Sequence, residues 1–440
     1  MNYAKFLLHK LMGIDIIKVF SLNAVATLVR MCAGMISVKV IAVIIGPAGV
    51  ALLGQLRNFD TILLGMANGG ISNGITKYIS EYKEDETEIK KLLSNALKIT
   101  LFCSSIVGIF LISCCVQLSK MVFMTEDYFY VFIVFGFTIF LYTLNALLIS
   151  VLNGYKKFKK YVKINITGTL IGIIYSVTLV FLFGLSGALL NAVTYQSIVF
   201  FVTLWMCRKE KWLKKEYFCC KLEKPLVKKY LAYSIMTLTT LALFPTSQML
   251  LRGYVIINIS ASQAGIWEGM NHISSMYLSV ITTAFSIYYL PRVSEINDPK
   301  ELSHEILRCY KVVVPMLLCI CLCIYMLRHF ILWLLFSPQF YEMEHLFGWQ
   351  LMGDMFKMSS WLLSFIMVAK AKVKLYMFSE VFSTILYIVL CAFFLKLNGI
   401  VGLPQGYLCN YILYFVMMVV IFKYFIQNSK NGSTQDNTVT

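Results

Sequence analysis

Charge is what this chain has least of. Only 14% of its 440 residues are Asp, Glu, Lys or Arg, with 22 acids against 39 bases. A soluble domain carries about a quarter charged residues, so a water-facing globular surface is excluded. Long polar segments are scarce too. No stretch between apolar runs is longer than 208–228, which leaves no separate extramembrane domain. The chain has no Gly-x-x-x-x-Gly-Lys-Ser/Thr run, so a nucleotide-cradling loop is not expected. Residues 1–18 lack the unbroken apolar core of a cleavable leader, because Lys5, His9, Lys10, Asp15 and Lys18 interrupt it. Zinc-type spacing is missing among the 13 cysteines. Cys319, Cys321 and Cys323 alternate along a helix and point to different sides. No metal, no cofactor and no catalytic residue are expected.

What remains is apolar: 59% of the residues are hydrophobic. Twelve stretches are long enough to cross a hydrocarbon core, which takes roughly 20 helical residues. They are 17–45, 48–80, 91–117, 128–153, 163–184, 186–207, 229–257, 262–290, 309–335, 343–369, 374–395 and 399–425. The fold class this predicts is an all-α polytopic membrane protein. The longest loop divides it into an N-terminal six-helix bundle (1–207), a basic linker (208–228), a C-terminal six-helix bundle (229–427) and a disordered polar tail (428–440).

Alternate loops hold the lysines. One set carries Lys83, Lys90 and Lys91, then Lys156 to Lys163, then the basic run from Arg208 to Lys229, and finally Lys370, Lys372 and Lys374. The opposite set has little beyond Lys120, Arg328 and Lys396. The positive-inside rule makes the first set and both termini cytoplasmic. The net charge of +17 is therefore mostly topology, and no nucleic-acid partner is expected. The cluster Glu84-Asp85-Glu86-Thr87-Glu88 invites comparison with a metal-dependent sugar transferase. Acids at a helix N-terminus are the simpler reading.

Against this apolar background, Arg30, Arg57, Arg252, Lys39 and Lys357 fall inside predicted membrane spans. Facing lipid, five such cations would cost on the order of 12–17 kcal/mol. They must face a polar interior, and a basic interior suits an anionic passenger. Arginine suits phosphate because its planar donors bind two oxygens at once. The structural alternative is ion pairing. Asp60 lies three residues from Arg57, and Asp354 three from Lys357, on shared helix faces. Arg30 and Arg252 have no acid nearby in sequence, and Lys39 is placed to snorkel. Counting Asp60, Glu268 and Asp354 against the five cations leaves a surplus of two, about the charge of a pyrophosphate diester.

Asp60, Glu268, His272 and Asp354 are candidates for proton or sodium coupling, or for balancing the arginines. Trp267, Asn271, Trp349 and Gln350 are candidate glycan contacts; an interfacial aromatic belt is the other reading of the tryptophans. Gly69, Gly70 and Pro245 are candidate hinges, or simply packing kinks. A faint internal repeat pairs Ala48-Gly49-Val50 with Ala264-Gly265-Ile266. It implies parallel halves related by an axis along the membrane normal.

Several segments carry a resemblance. They are Ala42-Val43-Ile44-Ile45-Gly46-Pro47-Ala48-Gly49, Gly70-Ile71-Ser72-Asn73-Gly74-Ile75-Thr76-Lys77-Tyr78 and Gly265-Ile266-Trp267-Glu268-Gly269. Phe285-Ser286-Ile287-Tyr288-Tyr289-Leu290-Pro291, Trp349-Gln350-Leu351-Met352-Gly353-Asp354 and Ala369-Lys370-Ala371 continue it. In order and over nearly the whole chain, they resemble the bacterial O-antigen translocases and lipid III flippases of the multidrug/oligosaccharidyl-lipid/polysaccharide exporter superfamily. The resemblance implies two six-helix bundles around a central V-shaped cavity, in the bacterial inner membrane. It implies a substrate, an undecaprenyl-pyrophosphate-linked oligosaccharide, and partners such as a polysaccharide polymerase and a chain-length regulator. Arg30 stands where the lipid III flippase type has lysine, and Glu268 where that type has glutamine. Three rivals stay open: a lipid II flippase, a drug/cation transporter of the same fold, and a membrane glycan polymerase or ligase. The basic interior disfavours cationic drugs. The short outer loops near 117–127 and 337–344 offer little room for the acid/base groups of a polymerase.

Overall fold

The computed structural model describes residues 2–82, 84–220, 224–284, 289–296, 298–370 and 372–435. Side chains are described from about residue 27, apart from most of 221–240 and a few positions near 284–300, 371–373 and the C-terminal end. Every regular element among the described residues is helical. In chain order these are α1 (Asn2–Ala67), α2 (Ser72–Tyr82), α3 (Glu86–Ser113), α4 (Cys115–Phe123), α5 (Phe129–Gly154), α6 (Phe158–Cys207) and α7 (Lys224–Asn258). Then come α8 (Ala261–Ala284), α9 (Leu290–Glu295), α10 (Pro299–Met326), α11 (Arg328–Leu335), α12 (Glu344–Ala369), α13 (Val373–Asn398) and α14 (Gly402–Gln435).

Seven stretches among the described residues are long and apolar enough to cross a membrane. Three of them, Val29–Ala67, Phe158–Cys207 and Lys374–Tyr424, run to 39, 50 and 51 residues, far beyond one crossing. Each contains a glycine in left-handed backbone: Gly46 (φ 66°), Gly184 (φ 55°) and Gly399 (φ 58°). Side chains are rarely tolerated in that conformation, so glycine is the residue that lets the chain turn there. The turn in α6 makes an antiparallel hairpin. Gly168 faces Val199, Gly172 faces Tyr195, and Tyr175 and Thr194 share a 2.9 Å hydrogen bond. α13 and α14 form another, through Cys391 Sγ to Leu403 O at 3.4 Å and Tyr414 OH to Glu380 at 2.7 Å. Counting each turned stretch twice and adding α7 and α8 gives the twelve expected spans.

Several boundaries differ from expectation. The expected second helix stops at Ala67 and restarts as α2, because Gly69 and Gly70 both take positive φ (63° and 64°). The expected outer loop 117–127 is mostly the short helix α4, closed by Met124 in left-handed backbone. The expected helix 309–335 begins ten residues earlier, at Pro299, and is interrupted at Leu327. The tail expected to be disordered continues α14 as far as Gln435, and 436–440 lie outside the described residues. The acidic cluster caps α3: Asp85 accepts from the amides of Thr87 (3.0 Å) and Glu88 (3.1 Å). The Thr87 hydroxyl, then the Glu88 amide, hold its carboxyl below the usual range.

The chain folds as two compact units. One comprises 1–45 and 52–249, the other 46–51 and 250–440. The segment expected as a free linker packs into the first unit through residue 220. Trp212 and Tyr217 are buried beside Ile79, Leu92 and Leu152. Ser94 Oγ donates to the carbonyls of Phe218 (3.1 Å) and Cys220 (2.7 Å), and Glu210 pairs with Lys157 and Lys160. Residues 221–223 lie outside the described residues.

In the second unit, the two motifs of the faint repeat meet. The start of α8 lies against the Gly46–Pro47 turn so closely that a Cβ on Gly265 would stand 1.7 Å from Pro47 O. The obstacle is backbone and cannot swing aside. Gly265→Ala is therefore expected to destabilise the protein by about 1–3 kcal/mol or more. Thermal unfolding of the detergent-purified protein measures it, and an unshifted midpoint would mean that the two backbones are not in contact.

Candidate functional site

The intramembrane charges fall into two groups, one in each unit. In the first unit, Arg30 and Arg57 are exposed and Lys39 is half-buried, all on α1. Asp60 sits one turn after Arg57 and is 7% exposed. Arg57 supplies the opposite charge that acts on it. One oxygen of Asp60, Oδ1, accepts no hydrogen bond. Tyr142 of α5 lies within electrostatic reach of Asp60 and of Tyr195 on α6, and Tyr195 within reach of Arg30. Next to them, Asn145 Nδ2 donates to Gln196 Oε1 at 3.0 Å. The first unit therefore carries two guanidinium groups and one carboxylate, connected through two tyrosines. Both guanidinium groups keep exposed surface with which to meet a ligand. Of this group, sequence reasoning named the charges and missed Tyr142 and Tyr195. Their only sequence signal is that both are polar-tipped aromatics within apolar spans.

In the second unit, the structure corrects an expectation. Arg252 is 1% exposed and its guanidinium is paired with the Glu268 carboxylate. Trp267 lies beneath it, 5.7 Å from the guanidinium carbon to the ring centroid. Arg252 has no surface left for a pyrophosphate, and Trp267, also 1% exposed, has none for a sugar. Arg252 has no acid nearby in sequence, and its partner comes from another helix. Glu268 reaches it from α8, sixteen positions on. This engages Glu268 in balancing an arginine, one of the two roles expected of it; His272 is half-buried on the same helix.

Deeper in the second unit is a second polar cluster. Asp354 is wholly buried and accepts hydrogen bonds from Ser274 Oγ (2.7 Å), Tyr277 OH (2.5 Å) and Tyr407 OH (2.7 Å). Lys357, one turn along α12, places its ammonium 5.5–5.6 Å from the ring centroids of Trp361, Tyr407 and Tyr411. Such contacts stabilise a desolvated cation. Its charge also acts on Glu380, which accepts from Tyr414 OH at 2.7 Å. Glu380, Tyr407, Tyr411 and Tyr414 were not anticipated. The last three recur at helical spacing on one face of α14, which reads as core unless the acids opposite are known. Including Glu380 lowers the surplus of interior cations from two to one, so the charge count no longer singles out a pyrophosphate.

The remaining expected residues are dispersed. Asn271 is half-buried and Trp349 is 39% exposed. Gln350 is 1% exposed, and its Oε1 accepts no hydrogen bond. Gly69 and Gly70 form the break between α1 and α2, where Asn68 Nδ2 donates to Ser72 Oγ at 2.5 Å. Pro245 is buried within α7, which runs on past it without interruption.

Known proteins resemble the chain over most of its length. A family model described as polysaccharide biosynthesis protein matches residues 16–297. The chain is 28% identical over 400 residues to a protein of Escherichia coli (strain K12) named lipid III flippase. The alignment covers 91% of this chain and 96% of that one. A lipid III flippase of Shigella flexneri matches equally well. Among solved structures, a multidrug resistance MATE family transporter of the MOP superfamily in its inward-facing conformation superposes with a TM-score of 0.74. It does so at 12% identity, over 92% of this chain and 99% of that one. The outward-facing conformation of such a transporter gives 0.59 at 13% identity, over 92% and 96%. At such low identity the likeness speaks for the fold alone, an all-α arrangement of membrane-length helices.

Proposed function

The chain belongs to the polysaccharide biosynthesis protein family, and from that premise we propose that it is a transporter, a flippase for lipid-linked oligosaccharides, rather than an enzyme. The relatives matched over 91% of the chain are flippases, and the fold is a transporter's. The observation that carries the reading is the exposure of Arg30 and Arg57 within the apolar stretch Val29–Ala67, one on each side of its turn at Gly46. Exposed guanidinium groups on such a span are costly in lipid and useful where a bidentate anion must be held.

In the mechanism we propose, the head group of an undecaprenyl-pyrophosphate-linked repeat unit enters from the cytoplasmic leaflet. Arg30 and Arg57 take the pyrophosphate and offset the cost of removing it from water. Lys39 and Lys357 supply further positive charge, and Arg252, held by Glu268, fixes the geometry of its unit. Asn271 and Trp349 offer the glycan a hydrogen bond and an aromatic face, while Gln350, 1% exposed, stays within the packing. The polyprenyl tail stays in lipid. Movement of one bundle against the other, with bending at Gly69, Gly70 and Pro245, releases the head group in the outer leaflet. Asp60, His272 and the Asp354 cluster are the groups suited to proton or sodium coupling. The lysine asymmetry supports an inner-membrane protein with both termini cytoplasmic. An O-antigen or related surface repeat unit is the cargo, with a polymerase and a chain-length regulator acting on it afterwards.

A gene-deletion strain tests the reading. Undecaprenyl-linked repeat units are expected to accumulate on the cytoplasmic side, surface glycan to disappear, and both to be restored by the wild-type gene. Accumulation of outer-leaflet repeat units that stay unpolymerised would instead assign the protein to polymerisation. Accumulation of lipid II would reassign its cargo.

A further inference from the structure

A shallow crevice opens on the second unit where α12 gives way to α13, about 350 Å³ with the open solvent at its mouth included. Leu363 and Ile366 of α12 and Met418 and Ile421 of α14 line it with hydrocarbon, and Lys370 and Lys372 complete its lining. The Lys370 ammonium is fixed by the carbonyls of Ser294 (3.4 Å) and Ile296, which anchors one positive charge there. Lys372 is exposed, and Lys374 follows it. No acidic residue occurs between Asp354 and Glu380 in the sequence.

We propose that this crevice holds an acyl chain of an anionic glycerophospholipid, with the lipid phosphate on Lys370 and Lys372. Two features select that occupant. The crevice lies where the spans end, at the depth of the head groups, so hydrocarbon below and phosphate above match its apolar lining and its lysines. Its two lysines favour a lipid whose head group adds no cation of its own. Basic pockets between helices on a cytoplasmic face recognise anionic head groups by this logic, and the lysine distribution assigns this end to that face. The bound lipid brings α12, α13 and α14 together at their common end. It plays no part in carrying cargo.

The test uses the full-length protein purified in detergent, offered dioleoylphosphatidylglycerol or dioleoylphosphatidylcholine, with retained lipid read by native mass spectrometry. The wild type is expected to retain phosphatidylglycerol preferentially. Lys372→Gln should lower that retention about fivefold, since one lysine near a head group contributes about that factor. Ile421→Trp, which fills the crevice and leaves every lysine in place, should lower retention of phosphatidylglycerol as well. Both variants are checked by thermal unfolding, so that loss of lipid is read only on folded protein. Equal retention of the two lipids by the wild type would overturn the proposal, as would Ile421→Trp retaining phosphatidylglycerol as the wild type does. Undecaprenyl phosphate displacing the bound phosphatidylglycerol at equimolar amounts would also overturn it and hand the crevice to the cargo. No transport is measured, so the result stands apart from the flippase reading.

Discussion

Arg30→Ala combined with Arg57→Ala is expected to abolish surface glycan at matched protein level while leaving the protein folded. Each arginine is exposed on α1, so its loss opens no cavity. A hydrogen bond to a charged group contributes about 1.5–3 kcal/mol, and more than one is lost per bidentate contact, so each substitution should slow export by at least about tenfold. Together they should slow it by roughly two to four orders of magnitude if the two act independently. Lysine at either position should recover part of the rate, because it restores the charge but not the planar fork. Removing Arg57 also strips Asp60 of its countercharge. Asp60→Asn in the Arg57→Ala background separates the two effects: rescue would assign the defect to an uncompensated carboxylate rather than to a lost phosphate ligand. Export is scored as surface glycan and as lipid-linked intermediate on the cytoplasmic side. Wild-type rates in the double alanine variant would remove the pyrophosphate from this site altogether.

The fold was legible because its signal is distributed. A span announces itself through some twenty consecutive apolar residues, and no single position has to be read correctly. Gly69 and Gly70 were expected only as hinges or kinks within one continuous run, and the structure breaks the helix there. Other details have no comparable signature. α4 is an apolar helix of nine residues at the end of a span, and composition cannot distinguish it from a loop. Trp212 and Tyr217 lie in a lysine-rich stretch that reads as solvated linker, yet both rings are buried against the first unit.

Sites were less legible than spans, for a physical reason. Same-helix pairing is written in the chain as a spacing of three or four, so Arg57–Asp60 and Asp354–Lys357 could be named in advance. Pairing between helices depends on which faces meet, and a single sequence does not record that. Arg252 looked unaccompanied and has Glu268. Asp354 looked like a partner for Lys357 alone and is bound by three hydroxyls from α8 and α14. The charges that stayed exposed, Arg30 and Arg57, are on the helix that precedes these interlocked clusters. Burial therefore divides the basic residues into those that fix structure and those with surface left for a ligand, a division that residue type alone did not make.

Glu268→Ala tests that division in the second unit. It leaves the Arg252 guanidinium, 1% exposed, without its carboxylate. Breaking a buried pair by removing one member costs about 3–5 kcal/mol, because the other charge stays desolvated. Arg252→Met alone should be costly for the same reason, though less so, since Glu268 keeps 16% of its side chain exposed and can draw water. The double variant, Arg252→Met with Glu268→Ala, should recover most of the loss, because two apolar side chains need no partner. The coupling energy from the four unfolding midpoints is then large and favourable. A ligand-binding Arg252 predicts another pattern: little effect of either substitution on stability, a large effect of Arg252→Met on export, and no recovery in the double variant. Glu268→Gln adds a finer test. Glutamine can still accept a hydrogen bond from the guanidinium but brings no charge, so its cost measures how far the pair depends on full ionisation rather than on the hydrogen bond.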